Sequence, residues 1–267
     1  MKEKGERKKE KVRKAKRFLS SFFAFCLLPF VLLKTSRPIA PLLAVIFALY
    51  AMAPVFAQQD SGSGEKSAGI SFSYVFENPR FHVPLIEIDL TADGSGELRF
   101  KRGESDDILD RKIKLLPETL ARIRQLMEDS QFLASEEDYQ HKKDFSHLGW
   151  MTILARQGER ERRVRFNYTE HLQVQEMSAI FRAIATQEMH LFDIDLSQQF
   201  QPLDLPRQIE ILENDLRLAR IAEPERLLEP LREIADNDVL PLIARNRAKR
   251  LIESIEKKKY KSPVKAK

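Results

Sequence analysis

Between Asp138 and Trp150 the chain reads DYQHKKDFSHLGW, with two histidines, two aspartates, two lysines, a serine and a tyrosine in thirteen residues. Two imidazoles and one carboxylate form a donor set found in zinc and non-haem iron sites. His141, Asp144 and His147 offer that set at the spacing H-x-x-D-x-x-H, the residues a metal-assisted hydrolase would need. On a helix, however, positions three apart share a face and positions six apart do not. Asp-Phe-Ser-His-Leu-Gly reads more naturally as a turn entering a strand. In that reading Asp144 and Ser146 bond nearby backbone N–H groups. Phe145 and Leu148 plug the core, and Gly149 permits a backbone angle or a close approach that other residues cannot. The structural turn is the expected role. The metal set is the alternative, and no catalytic or cofactor-binding residue is assigned.

The other candidates are scattered. His82 precedes a strand pattern, His171 stands at a helix start and His190 at a helix end, where an imidazolium suits the dipole. Asp193 and Asp195 alternate within LFDIDL and could face calcium from a strand, although a solvated strand face is the expected role. Asn167-Tyr168-Thr169 has the form of a glycosylation sequon. The chain contains no G-x-S-x-G elbow, no H-E-x-x-H, no P-loop and no dinucleotide glycine motif. Cys26 is the sole cysteine, so residues 58–267 have neither disulfides nor thiolate chemistry.

Charge divides the chain. Residues 1–57 hold twelve Lys or Arg against three Glu, a net +9, whereas 58–267 carry about −4. The basic pI of about 9.2 therefore belongs to the N-terminal segment and does not mark a nucleic-acid surface. A basic run to Arg17 precedes two apolar stretches, Phe18–Leu33 and Ile39–Ala57. The second ends in Val55-Phe56-Ala57, small residues at −1 and −3 before a polar switch, as at a signal-peptidase site. Residues 1–57 are expected to be a signal peptide cleaved before Gln58. An inner-membrane anchor at 39–57 is the alternative, and a two-helix hairpin is a third reading. Basic residues on the near side send the downstream chain across the membrane, to the periplasm or beyond.

Residues 58–69 are small and polar, a flexible linker. From Ile70 the hydropathy alternates with period two. PLIEIDL and ELRFKR flank the turn residues TADGSG and form the best hairpin in the sequence. A short strand is expected at Arg111–Leu115 and a second hairpin over 149–168 around Gly158. Pro117 opens a helix with Leu120, Ile123 and Met127 on one face. A second amphipathic helix runs through Met177, Ile180, Phe181 and Ile184, and LFDIDL (191–196) reads as a further strand or extended connector. Helices begin at Pro206, Pro224 and Pro241. The order of elements predicts an α+β domain over 70–205, an antiparallel sheet covered by helices. A helical region over 206–256 packs on it, followed by a basic tail, 257–267, expected to fray. The last helix pair looks similar to one unit of a HEAT-like repeat, but no period recurs. Arg245, Arg247, Lys249 and Arg250 could make weak contact with anionic lipid or wall polymer, although a solubilising helix face is the expected role.

FENPRF, KDFSHLG, RFNYTEH, RIAEPERLL and PLIARNRAK, spread over 76–250, resemble stretches of exported proteins of unknown function from free-living bacteria. That resemblance implies export and supplies no activity. The expectation is a non-catalytic binding protein of the envelope, without a cofactor, whose partner is another envelope protein or a wall component. A binding module of this kind needs an exposed apolar patch or a sheet edge.

Overall fold

A computed structural model describes residues 69–103 and 107–265. The predicted signal peptide or anchor, and the linker to residue 68, lie outside the described residues. Six strands form one antiparallel sheet: β1 Ser71–Glu77, β2 Leu85–Leu90, β3 Ser95–Phe100, β4 Leu109–Lys114, β5 Trp150–Gln157 and β6 Arg160–Phe166. Their order across the sheet is β4-β3-β2-β1-β5-β6. The first four make a meander. Helix α1, Pro117–Asp129, then carries the chain from the β4 edge back over one face, so that β5 pairs with the free side of β1.

Alternation decides which side chains go inward. Phe72, Tyr74, Ile86, Ile88, Leu98, Phe100, Ile153 and Phe166 are buried against α1 and α2 (Leu172–Phe200). Ile123 and Leu126 of α1 and Met177, Ile180, Phe181 and Ile184 of α2 complete that core. Tyr74 stacks on Phe181 with centroids 5.1 Å apart.

Helix α2 has 29 residues, about 43 Å of axis, and overruns the sheet. The sequence pattern suggests a strand at 191–196, but α2 continues unbroken through it. Five alternating residues do not define a period, and no Gly or Pro interrupts the chain between Leu172 and Pro202. Extending a helix already formed adds one hydrogen bond per residue. Leu191 and Ile194, three apart, then face a second core. It contains Ile209, Leu212 and Leu216 of α3 (Leu205–Arg217), Leu231 and Ile234 of α4 (Leu228–Asp236), and Ala244, Ala248, Leu251 and Ile255 of α5 (Leu242–Glu256). Helix α2, which ends at Phe200, thus contributes side chains to both cores.

Buried polar groups join the two cores. Glu188, fully buried, accepts from Arg111 of β4 at 3.1 Å and from Arg226 at 2.6 Å. Glu223 accepts the N–H of Leu116 at the start of α1, 2.7 Å, and its own N–H goes to Gln187 Oε1, 2.7 Å. Buried charges are tolerated when paired and hydrogen-bonded in this way. The tail expected to fray instead folds back. Ser262 donates its hydroxyl to the Ala222 carbonyl at 2.6 Å, Val264 is buried, and Lys265 pairs with Glu225.

Candidate functional site

The polar loop over 138–150 is a turn held by its own side chains. Asp144 accepts the Ser146 N–H at 2.7 Å, the Ser146 hydroxyl at 3.0 Å and the Asn167 amide at 2.7 Å. Those bonds, first the one from the Ser146 backbone, hold its carboxyl below the usual carboxylate range. His141 Nδ1 accepts the Lys143 N–H at 2.9 Å, and its Nε2 lies 3.3 Å from Glu170. The His147 carbonyl accepts from Asn78 at 3.1 Å, while its ring packs 6.2 Å from that of Phe145. The structure therefore brings Asp144 and His147 near each other but directs His141 to other partners. Among the described residues no three His, Cys, Asp or Glu form a group able to hold a metal ion.

Gly149 meets both demands foreseen for it. Its φ is +94°, and a Cβ there would lie 2.7 Å from the Phe76 ring. The two predicted plugs differ from expectation. Phe145 is only half-buried, against Tyr168 and His141, and Leu148 is exposed. The reason is that the loop lies over the ends of β1 and β6 rather than beneath the sheet. Gln140 and His141 take up the Asn167 N–H and the Tyr168 carbonyl there.

Of the remaining candidates, His190, Asp193, Asp195, Arg245 and Arg247 have local partners. His190, expected at a helix end, sits within α2 and bonds Asp215 of α3 at 2.8 Å. That hydrogen bond is the main cause of a lowered Asp215 pKa. Asp193 and Asp195 lie on the helix, not on a strand face, and pair with Arg102 and with Arg111, the latter at 2.7 Å. In the basic helix, Arg245 pairs with Asp238 and Arg247 with Glu210. Lys249 and Arg250 remain exposed.

What stands out is the sheet face turned away from the helices. Its two halves differ. On the β2–β4 side, Arg99 gathers Glu87 at 2.9 Å, Asp89 at 2.8 Å and Glu97 at 3.7 Å, so charge is neutralised locally. On the β1–β5–β6 side the register aligns Ser73 with Leu154 and Arg163, and Val75 with Thr152 and Arg165. These residues and Glu77 line a shallow basin of about 440 Å³. A second, of about 270 Å³, adjoins it through Glu77 and is lined by Asn78, Pro79, Arg80, Ser146, His147 and Trp150. The Arg165 guanidinium lies 4.8 Å over Trp150 and 3.3 Å from Glu77. The Arg163 side chain has no ion-pair or hydrogen-bond partner among the described residues.

This lining offers guanidinium and hydroxyl donors, an aromatic face and a small apolar floor. Planar guanidinium groups match carboxylate and phosphate oxygens, so the surface can hold an anion. Arg163 and Arg165 are not among the candidates that the sequence suggests. The available signal was RERRVRF, where Val164 and Phe166 alternate inward and leave two arginines on the opposite face.

Comparison with known proteins finds no matching family model and no matching curated protein.

Proposed function

We propose that this chain is an exported binding protein of the bacterial envelope that holds an anionic partner, a protein or a wall polymer, on the β1–β5–β6 half of its open sheet face. One observation carries the reading: among the described residues Arg163 is unpaired, on a basin that also offers Arg165, Ser73, Thr152 and, next to it, Trp150. A guanidinium beside donor hydroxyls offers a ligand anion several hydrogen bonds at one place. Apolar residues exposed elsewhere, such as Leu203 and Val239, are compatible with a protein that works through contacts. Export rests on the N-terminal sequence alone. Among the described residues no helix is long and apolar enough to cross a membrane.

Trp150 is the chain's one tryptophan, so intrinsic fluorescence reports directly on this face. Full-length protein in neutral detergent, titrated with poly-L-glutamate or polyphosphate at low salt, should show a saturable change in emission. Arg163→Glu should abolish that change. Constant Trp150 emission with both polyanions rejects the binding site. Export is tested separately by sequencing the N-terminus of envelope-fraction protein. Cleavage predicts Gln58 first, and Met1 favours the anchor.

A further inference from the structure

The geometry points to β6 as a receptor edge: we propose that an acidic segment of a partner protein adds to it as a seventh strand, with alternate carboxylates meeting Arg163 and Arg165. This rests on the binding role just proposed for the same face and names its partner by chemistry.

Among the described residues β6 hydrogen-bonds to β5 alone, so its outer edge presents unpaired backbone groups, a template for another strand. The available length is bounded. Beyond Phe166 the loop takes over, with Gln140 and His141 satisfying Asn167 and Tyr168. A guest strand therefore has Arg160 to Arg165 to pair with.

Charge selects the guest. Four of those six residues are arginine, and Glu161 is engaged by Arg156. A second copy of the chain is the less complementary guest. Symmetric antiparallel pairing centred on residue 161, 163 or 165 sets a charge on the outer face against itself, and only centring on 162 or 163 brings Glu161, already engaged by Arg156, opposite an arginine. Centring on Val164 sets Arg163 against Arg165. Like charges directly opposite destabilise a strand pair. Such repulsion also guards an edge against aggregation, but protection alone does not call for a basin beside the edge or for an unpaired guanidinium on it.

An added strand of opposite charge makes the contacts at Arg163 and Arg165 attractive. Its alternate side chains are spaced at about 6.8 Å, the same spacing as Arg163 and Arg165 on their own strand, and lie directly beside them on the outer face. The residue between them falls on the inner side, next to Val164, and favours a β-branched side chain. Arg162 does not compete for the guest. It points inward, packed against the stacked rings of Phe132 and Tyr139, and donates to the carbonyls of Phe132 and Glu137.

The test uses full-length protein in neutral detergent, with Trp150 emission for affinity and hydrogen–deuterium exchange across β6 for pairing. Four short peptides are compared: alternating Glu and Thr; the same composition in two blocks; the alternating sequence N-methylated at every second amide; and alternating Lys and Thr. The alternating acidic peptide should bind about tenfold more tightly than the blocked or methylated ones and slow exchange from Arg160 to Arg165. The lysine peptide should not bind. Arg163→Glu with Arg165→Glu should invert that preference, and Arg163→Gln with Arg165→Gln should remove it while leaving the acidic peptide's slower exchange partly in place. Equal affinity for all three acidic peptides overturns strand addition but leaves an anion-binding face. Tighter binding of polyphosphate with β6 exchange unchanged also overturns it, in favour of a polymeric anion. Silence with polyphosphate and every acidic peptide overturns both proposals.

Discussion

The two faces of the one sheet use the same strands under opposite rules. Inward, Tyr74, Ile88, Leu98, Phe100 and Ile153 are sealed from water and packed by α1 and α2. Outward, each strand carries charge or hydroxyl, and no described helix lies over it. The inner face tolerates few substitutions because density there matches an organic solid. The outer face is free to vary in stability terms, so what it retains can serve recognition. Its two halves sharpen the point. The β2–β4 half neutralises its own charge around Arg99, and the β5–β6 half leaves Arg163 without a partner among the described residues.

The largest expected effect sits inside. Ile88→Asp places an unpaired carboxylate at a fully buried position and should cost about 4–5 kcal/mol or more, enough to unfold a domain. Its neighbour Glu87→Lys, on the outer face, removes a partly exposed ion pair while Arg99 keeps Asp89, and should cost under about 1 kcal/mol. Urea denaturation of both variants tests the face assignment, and equal midpoints break it. Next is Glu188→Ala, which removes the buried carboxylate shared by Arg111 and Arg226 at the seam between the cores and leaves them Asp195 and Glu223 as their remaining carboxylate partners. About 3 kcal/mol is expected, with the unfolding transition splitting in two if the cores uncouple.

Smaller effects belong to the loop. Gly149→Ala meets both a positive φ and the Phe76 ring and should cost about 2–3 kcal/mol. Phe145→Ala should cost about 1–2 kcal/mol, less than a full core aromatic, because the ring is half-buried. Thermal melts that rank Phe145 above Gly149 would place the loop deeper than it lies here. The smallest is a pH effect. Hydrogen bonding to His190, and then to Arg220, lowers the Asp215 pKa. Its stabilising contribution is therefore present above the ordinary carboxylate value and lost as pH falls through the lowered folded value, from about pH 4 downward. Asp215→Asn should be less stable than wild type near neutrality, and the gap should close on acidification. Chevron or urea midpoints measured at several pH values read this directly, and a gap that widens in acid contradicts the pair.

Local pattern was legible where one period dominated. The β2–β3 hairpin, the α1 stripe and Gly149 follow from residues close in sequence. LFDIDL did not, since five alternating residues fit a short strand and a helix alike, and only the uninterrupted helix before it decides. In the polar loop the turn at Asp144 and Ser146 was legible, and the fate of the histidines was not. Density of histidine and aspartate along the chain says nothing of convergence, and in the fold His141 turns to Lys143 and Glu170 while Asp144 turns to Ser146 and Asn167. The polar groups that do converge, Arg111, Glu188, Glu223 and Arg226, come from three separate elements, with 77 residues between Arg111 and Glu188 and 38 between Glu188 and Arg226.

By itself, then, the sequence determined the α+β class, the antiparallel pairing, the inward residues of most elements and the charge of RERRVRF, because these depend on periodicity, turn chemistry and composition. Tertiary structure alone decided that β5 and β6 join β1, that β6 ends the sheet, and that Arg163 and Arg165 share a face with Ser73, Thr152 and Trp150. Strand order is a long-range choice made by packing two helices onto one face, and no local pattern encodes which edge remains open.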